Sequence, residues 1–70
     1  MNMKYRVVLE PQEEEGGYTV YVPALPGCVS QGETVDEVIQ NIKEAIEIYV
    51  ESLNERGIAL PKIEEREVVV

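Results

Sequence analysis

Histidine is missing from this chain altogether, and its absence removes a large part of enzyme chemistry. No Ser–His or Cys–His nucleophile pair can be assembled, and no imidazole can serve as base or metal ligand. A zinc ion would have to be held by one thiolate and carboxylates, which is poor ligation. Cysteine occurs once, at Cys28, so no disulfide can close within the chain, a usage that suits a reducing compartment. Basic residues are few: 6 Lys and Arg against 14 Asp and Glu give a formal charge of −8. Such a surface repels phosphate backbones and draws basic partners, so direct nucleic-acid binding is not expected. Long apolar runs are lacking too. The opening "MNMKYRVV" holds no apolar stretch of signal-peptide length, and nothing reaches membrane-spanning length. The expectation is a cytoplasmic chain with no membrane partner.

What is present is patterned. The 70 residues make one small domain near the lower end of what folds alone, so burial is limited and a partner or self-association is favoured. In "MKYRVVLE", Met3, Tyr5, Val7 and Leu9 point one way and Lys4, Arg6, Val8 and Glu10 the other, the alternation of a half-buried strand. "PQEEEGG", residues 11–17, joins a proline, an acidic run and two glycines, and reads as a loop. "YTVYV" resumes alternation, with Tyr18, Val20 and Val22 set against Thr19 and Tyr21. These segments predict a β-hairpin with a longer loop. Pro26-Gly27 suits the centre of a type II turn, and a short strand is expected over residues 28–31.

The helix is the strongest expectation. Val35, Val38, Ile39, Ile42, Ala45, Ile46, Tyr49, Val50 and Leu53 follow 3.6-residue spacing and form one apolar stripe. Thr34 stands at the N-cap with Glu37 three positions on, and Asp36 and Glu37 favour the positive helix end. Gly57 suits the left-handed position after the helix, letting Ile58 fold back on Leu53. After Pro61, "KIEEREVVV" predicts a final strand. The fold class is therefore α+β: an antiparallel sheet of three to four strands with one long helix packed on one face, in the order β-β-β-α-β. Residues 1–70 are read as a single domain, with no separate C-terminal DNA-binding module. The sheet face away from the helix would show Lys4, Arg6, Val8, Thr19 and Tyr21, a mixed surface of the kind partners use.

Several motifs invite chemical readings. "GCVSQGET", residues 27–34, matches the phosphate-binding pattern G-x-x-x-x-G-K-[ST] except that Glu33 replaces the lysine. A glutamate there sets like charge beside the phosphates, so the stretch is read as a connector. Ser30 has neither the G-x-S-x-G spacing nor a histidine to take its proton. Cys28, without a base partner, is expected to be a small buried apolar group. Glu13, Glu14 and Glu15 could collect a hard cation, yet a solvated hairpin tip is the ordinary reading. Glu64, Glu65 and Glu67 would alternate faces along a strand and cannot all converge. No catalytic residue, metal ligand or cofactor site is assigned. The helix's polar face, with Glu44, Glu47, Glu51 and Glu55, is either a solubilising surface or a docking stripe for a basic protein.

The stretch "GGYTVYVPALPGCVSQGETVDEVIQNIKEAI" resembles the HicB-type antitoxin domain and its HicB-like small-protein family. The likeness rests on "YTVYVPALPGC", the "SQGET" turn and the helix start at the matching distance, and it extends over nearly the whole chain. It implies a partial ribonuclease-H-like fold without ribonuclease H activity. It further implies a small basic partner, a HicA-like toxin with a double-stranded-RNA-binding-like fold and a catalytic histidine, neutralised by covering its active surface. Candidate contacts are Glu13, Glu14, Glu15, Glu33, Glu44, Glu47, Glu51 and Tyr21. The alternative is a stand-alone homo-oligomer with no toxin. In either case a dimer or higher oligomer is expected, because strand edges and the apolar C-terminal residues need cover.

Overall fold

Period-2 alternation brings the first three predicted strands together as one sheet. The computed structural model describes residues 4–59, 64 and 66–69. Strands β1 (Val8–Pro11), β2 (Tyr18–Tyr21) and β3 (Val29–Gly32) precede one helix, α1 (Val35–Glu55). The sheet is antiparallel throughout, in the order β1-β2-β3. Register sets Leu9 opposite Val20 and Val20 opposite Ser30 on the helix-facing side; on the other side, Val8 stands opposite Tyr21 and Tyr21 opposite Val29. A slip of one residue would exchange these faces.

The hairpin turn is built on glycine. Gln12 N–H donates to the Gly17 carbonyl at 2.9 Å, and Gly16 N–H donates to the Gln12 carbonyl at 2.8 Å. Gly16 and Gly17 have φ of 78° and 77°, values that other residues adopt only with strain. This leaves Glu13, Glu14 and Glu15 at the exposed tip.

Between β2 and β3 the chain makes two tight turns in succession. Leu25 N–H donates to the Val22 carbonyl, Cys28 N–H to the Leu25 carbonyl and Val22 N–H to the Cys28 carbonyl. Gly27 has φ of 82°, the third-position geometry of the type II turn expected from Pro26-Gly27. The turns drive Leu25 inward until it is 1% exposed. It joins Val20, Val22, Cys28, Val38 and Ile42 as the core, with Tyr5, Val7, Leu9, Tyr18, Ala45, Ile46, Tyr49 and Val50 packed around them.

Both helix ends are closed by the chemistry their residues predict. The Thr34 hydroxyl accepts from Glu37 N–H at 3.1 Å. At the other end Gly57, with φ of 66°, lets its own N–H reach the Asn54 carbonyl and the Ile58 N–H reach the Leu53 carbonyl, the paired bonds of a Schellman stop. α1 lies over β3 and β2, with no comparable packing on β1. Two side bonds fix that placement: Asn41 Nδ2 donates to the Gln31 carbonyl at 2.8 Å, and the Tyr49 hydroxyl to the Pro26 carbonyl at 3.0 Å.

Two expectations change. Val35 and Ile39, counted in the apolar stripe, stay 46% and 42% exposed, because the stripe is wider than the part of the sheet the helix covers. The final strand is not formed at Glu64 or at residues 66–69, which carry no strand geometry, and the rest of that segment lies outside the described residues. Val68 and Val69 are 79% and 96% exposed. A strand forms only against a neighbour that completes its hydrogen bonds, and no strand among the described residues pairs with this segment. The sheet has three strands among the described residues.

Candidate protein-interaction surface

The phosphate-loop reading fails on backbone geometry as well as on charge. A phosphate cradle needs backbone N–H groups turned toward the ligand. Val29–Gly32 is instead a strand, paired to β2 along its length. Ser30 is half-buried beneath the helix opposite Val20. Among the described residues, no three His, Cys, Asp or Glu side chains are placed to hold a metal ion.

Cys28 is 4% exposed, and burial pushes its thiol pKa above the ordinary value by disfavouring the thiolate. Because the folded-state value is the raised one, this contribution to stability is complete below the unfolded pKa of about 8.5. It is lost as pH rises through the folded value. Stability measured by urea unfolding is expected to decline in that alkaline range. Below it, a chromogenic disulfide reagent should modify folded Cys28 on the order of 100-fold more slowly than the unfolded chain, since reaction waits on local opening. Equal rates would mean that the thiol is not enclosed.

The eight candidate contact residues fall on three surfaces. Gly17 lies against the backbone of Gly32 and Glu33, so the loop bearing Glu13, Glu14 and Glu15 packs beside the β3–α1 junction and Glu33. Asp36 and Glu37 occupy the first helical turn at that same end. The second surface is a strip on α1: Glu44, Glu47 and Glu51 recur at three- and four-residue spacing and are exposed, hence neighbours on one face. Gln40 donates to Glu44 Oε1 at 3.4 Å within it. Tyr21, 39% exposed, stands on the opposite side of the sheet with Val8 and with Val29, which is 64% exposed. Tyr21 and the carboxylates therefore do not form one site.

Val29 was not among the candidates. Its signal was present in the alternation of Cys28 inward, Val29 outward and Ser30 inward. A further feature had no sequence signal: an open groove of about 910 Å³ between residues 4–7 and the helix. Tyr5, Val7, Ile39, Ile46 and Val50 line its floor and walls, with Lys4, Lys43, Glu47 and Glu51 also lining it. Its existence depends on where the helix sits across the sheet. No charged or polar side chain is buried among the described residues, so the described acidic groups meet solvent.

Comparison with known proteins shows which family the sequence matches. Residues 5–70 match the family model described as the HicB-like antitoxin of bacterial toxin–antitoxin systems. A UPF0150 protein of Thermoplasma acidophilum is 47% identical over 68 residues, covering 97% of each chain. A UPF0150 protein of Synechocystis is 53% identical over 58 residues, covering 83% of this chain and 72% of its own. Antitoxin HicB 1 of Photorhabdus laumondii is 44% identical over 64 residues, which is 86% of this chain but 39% of that longer protein. Among the described residues no helix is long and apolar enough to cross a membrane. The chain belongs to the HicB-like antitoxin family.

Proposed function

We propose that this chain is an interaction protein that binds a small basic RNA-cleaving toxin, HicA-like in character, and neutralises it by covering the toxin's active surface. The observation that carries this reading is the exposure of its acidic groups. The whole chain carries a formal charge of −8, and the acidic side chains at the hairpin end and along the helix strip are exposed, with no charged group buried among the described residues. A toxin that grips RNA must offer a cationic surface, and an anionic domain of fixed shape is drawn to that surface and competes for it. The name of the Photorhabdus relative, an antitoxin, points the same way. The role needs no bond-breaking, so the protein is read as a non-enzyme acting in the cytoplasm. Glu13, Glu14, Glu15 and Glu33 at one end and Glu44, Glu47 and Glu51 on the helix are the proposed contacts, with Tyr21 on a separate face.

The test is co-expression with the product of the adjacent reading frame. A small basic, histidine-bearing neighbour should co-purify and lose its RNA cleavage in the complex. Raising salt should weaken the complex on the order of tenfold or more, because screened charges carry the attraction. A neighbour that is neither small nor basic, or a mixture that shows no complex at low salt, overturns the reading.

Self-association forms part of the same proposal. Its support is the position of β1 at the border of the sheet among the described residues and the exposure of Val68 and Val69.

A further inference from the structure

We infer that the sheet face turned away from α1 carries a seat for an arginine side chain, supplied by the basic partner of the proposed function. The inference rests on that reading for the class of partner. It adds a place and a preferred residue type that overall charge does not specify.

The register lays two rows of side chains across this face. Val8, Tyr21 and Val29 form one row, and Glu10, Thr19 and Gln31 form the next. Glu10 and Tyr21 are diagonal neighbours across the β1–β2 pair, a separation that an aromatic and a long side chain can bridge. An open hollow of about 480 Å³ lies over the two rows, with Glu10, Thr19, Tyr21, Val29 and Gln31 in its lining and no lysine or arginine among the lining residues. Tyr21 is 39% and Val29 64% exposed, and Glu10 and Gln31 are exposed beside them. Gln12 Nε2 donates to the Thr19 hydroxyl at 3.1 Å, which holds Thr19 in place in the middle of the polar row.

This set of groups selects a guanidinium. Its plane stacks on an aromatic ring while its edge donates to a carboxylate, and one hollow here offers a tyrosine ring and a carboxylate together. The side-chain oxygens of Thr19 and Gln31 are acceptors for its remaining N–H groups. Val8 and Val29 flank the ring and suit the methylene stem. A lysine ammonium fits less well, being a compact, strongly hydrated charge with no plane to stack. An apolar knob would strip water from Glu10 and return nothing. A nucleic-acid base would also stack on Tyr21, but its phosphates would meet Glu10 and a chain of formal charge −8.

The experiment follows the backbone amides of the full isotope-labelled chain by NMR, with no toxin present. Two probes are titrated, acetyl-Gly-Arg-Gly-amide and acetyl-Gly-Lys-Gly-amide. The arginine probe should shift the amides of Glu10, Thr19, Tyr21 and Val29 at millimolar concentration. It should bind about threefold more tightly than the lysine probe, the size of an exposed cation–π contact. Tyr21→Phe should keep that preference, Tyr21→Leu should abolish it, and Glu10→Gln should weaken both probes, all with native circular dichroism. In the toxin complex, Tyr21→Leu should weaken binding on the order of tenfold. The inference is overturned by the absence of shifts on this face, by equal binding of the two probes, or by a preference that survives Tyr21→Leu. A toxin complex indifferent to Tyr21→Leu overturns it too, while leaving the proposed function standing. If no toxin complex forms, the proposed function fails and the preference for arginine over lysine is still read.

Discussion

Leu25→Ala is expected to destabilise the domain by about 3 kcal/mol, in the range of buried leucine truncations that leave a cavity. Leu25 is 1% exposed and among the largest fully buried side chains, although it belongs to a loop. The Val22–Leu25 and Leu25–Cys28 turn bonds, with the Val22–Cys28 pair, fix the loop around it. The Tyr49 hydroxyl on the Pro26 carbonyl ties the next residue to the helix. With so many anchors the loop cannot collapse into the space, so the cavity persists. For a domain of this size the melting temperature should fall by roughly 12 to 24 °C. Ile48→Ala, at a side chain 68% exposed on the helix, should change stability by no more than about 0.5 kcal/mol. Thermal and urea unfolding followed by circular dichroism measure both. A loss under about 1 kcal/mol for Leu25→Ala would show that this loop is not part of the core.

Gly17→Ala is expected to be nearly as damaging, for a different reason. Its φ of 77° places alanine in the left-handed region at a cost of about 1–2 kcal/mol. An added Cβ would also lie 2.6 Å from the Gly32 carbonyl oxygen and 3.2 Å from the Glu33 Cα. Both are backbone atoms that cannot swing aside, and relieving such overpacking costs about 1–3 kcal/mol. Gly16→Ala separates the two effects. Gly16 has φ of 78° but open space around its Cβ position, so it should lose only the conformational share. Equal losses at the two positions would mean that the loop and the β3–α1 junction do not touch. If they do touch, Gly17→Ala should also displace Glu13, Glu14 and Glu15 from Glu33 and weaken toxin binding more than Gly16→Ala does.

Much of the fold was legible because local chemistry and global packing agree. Thr34, the period of Val38, Ile42 and Tyr49, and Gly57 mark the helix to within a residue of its ends. Tyr18 to Val22 reveal their inward and outward faces by alternation alone. Leu25 was harder: the prolines around it mark a turn, but nothing local says that the turn points into the core. The candidate surface was only partly legible. Charge identifies Glu44, Glu47 and Glu51 as one helical strip, since their spacing is a property of the helix itself. That the hairpin tip lies beside Glu33 depends on a glycine-to-backbone contact across the sheet, which leaves no periodic trace. The groove depends on the lateral position of the helix, which Gly32 helps to set by admitting Val38 closely: a Cβ there would meet the Val38 nitrogen at 2.8 Å.

The Asn41 side-chain bond to the Gln31 carbonyl has a consequence for how such a molecule can associate. It occupies a backbone acceptor of β3, so among the described residues the two borders of the sheet are not equivalent: one is engaged at the Gln31 carbonyl by its own helix, and the border at Val8–Pro11 has no such bond from the helix. Growth by adding strands is therefore one-way. A molecule with two receptive borders could be stacked without limit into fibres, whereas one with a single receptive border is exhausted as soon as it has been matched.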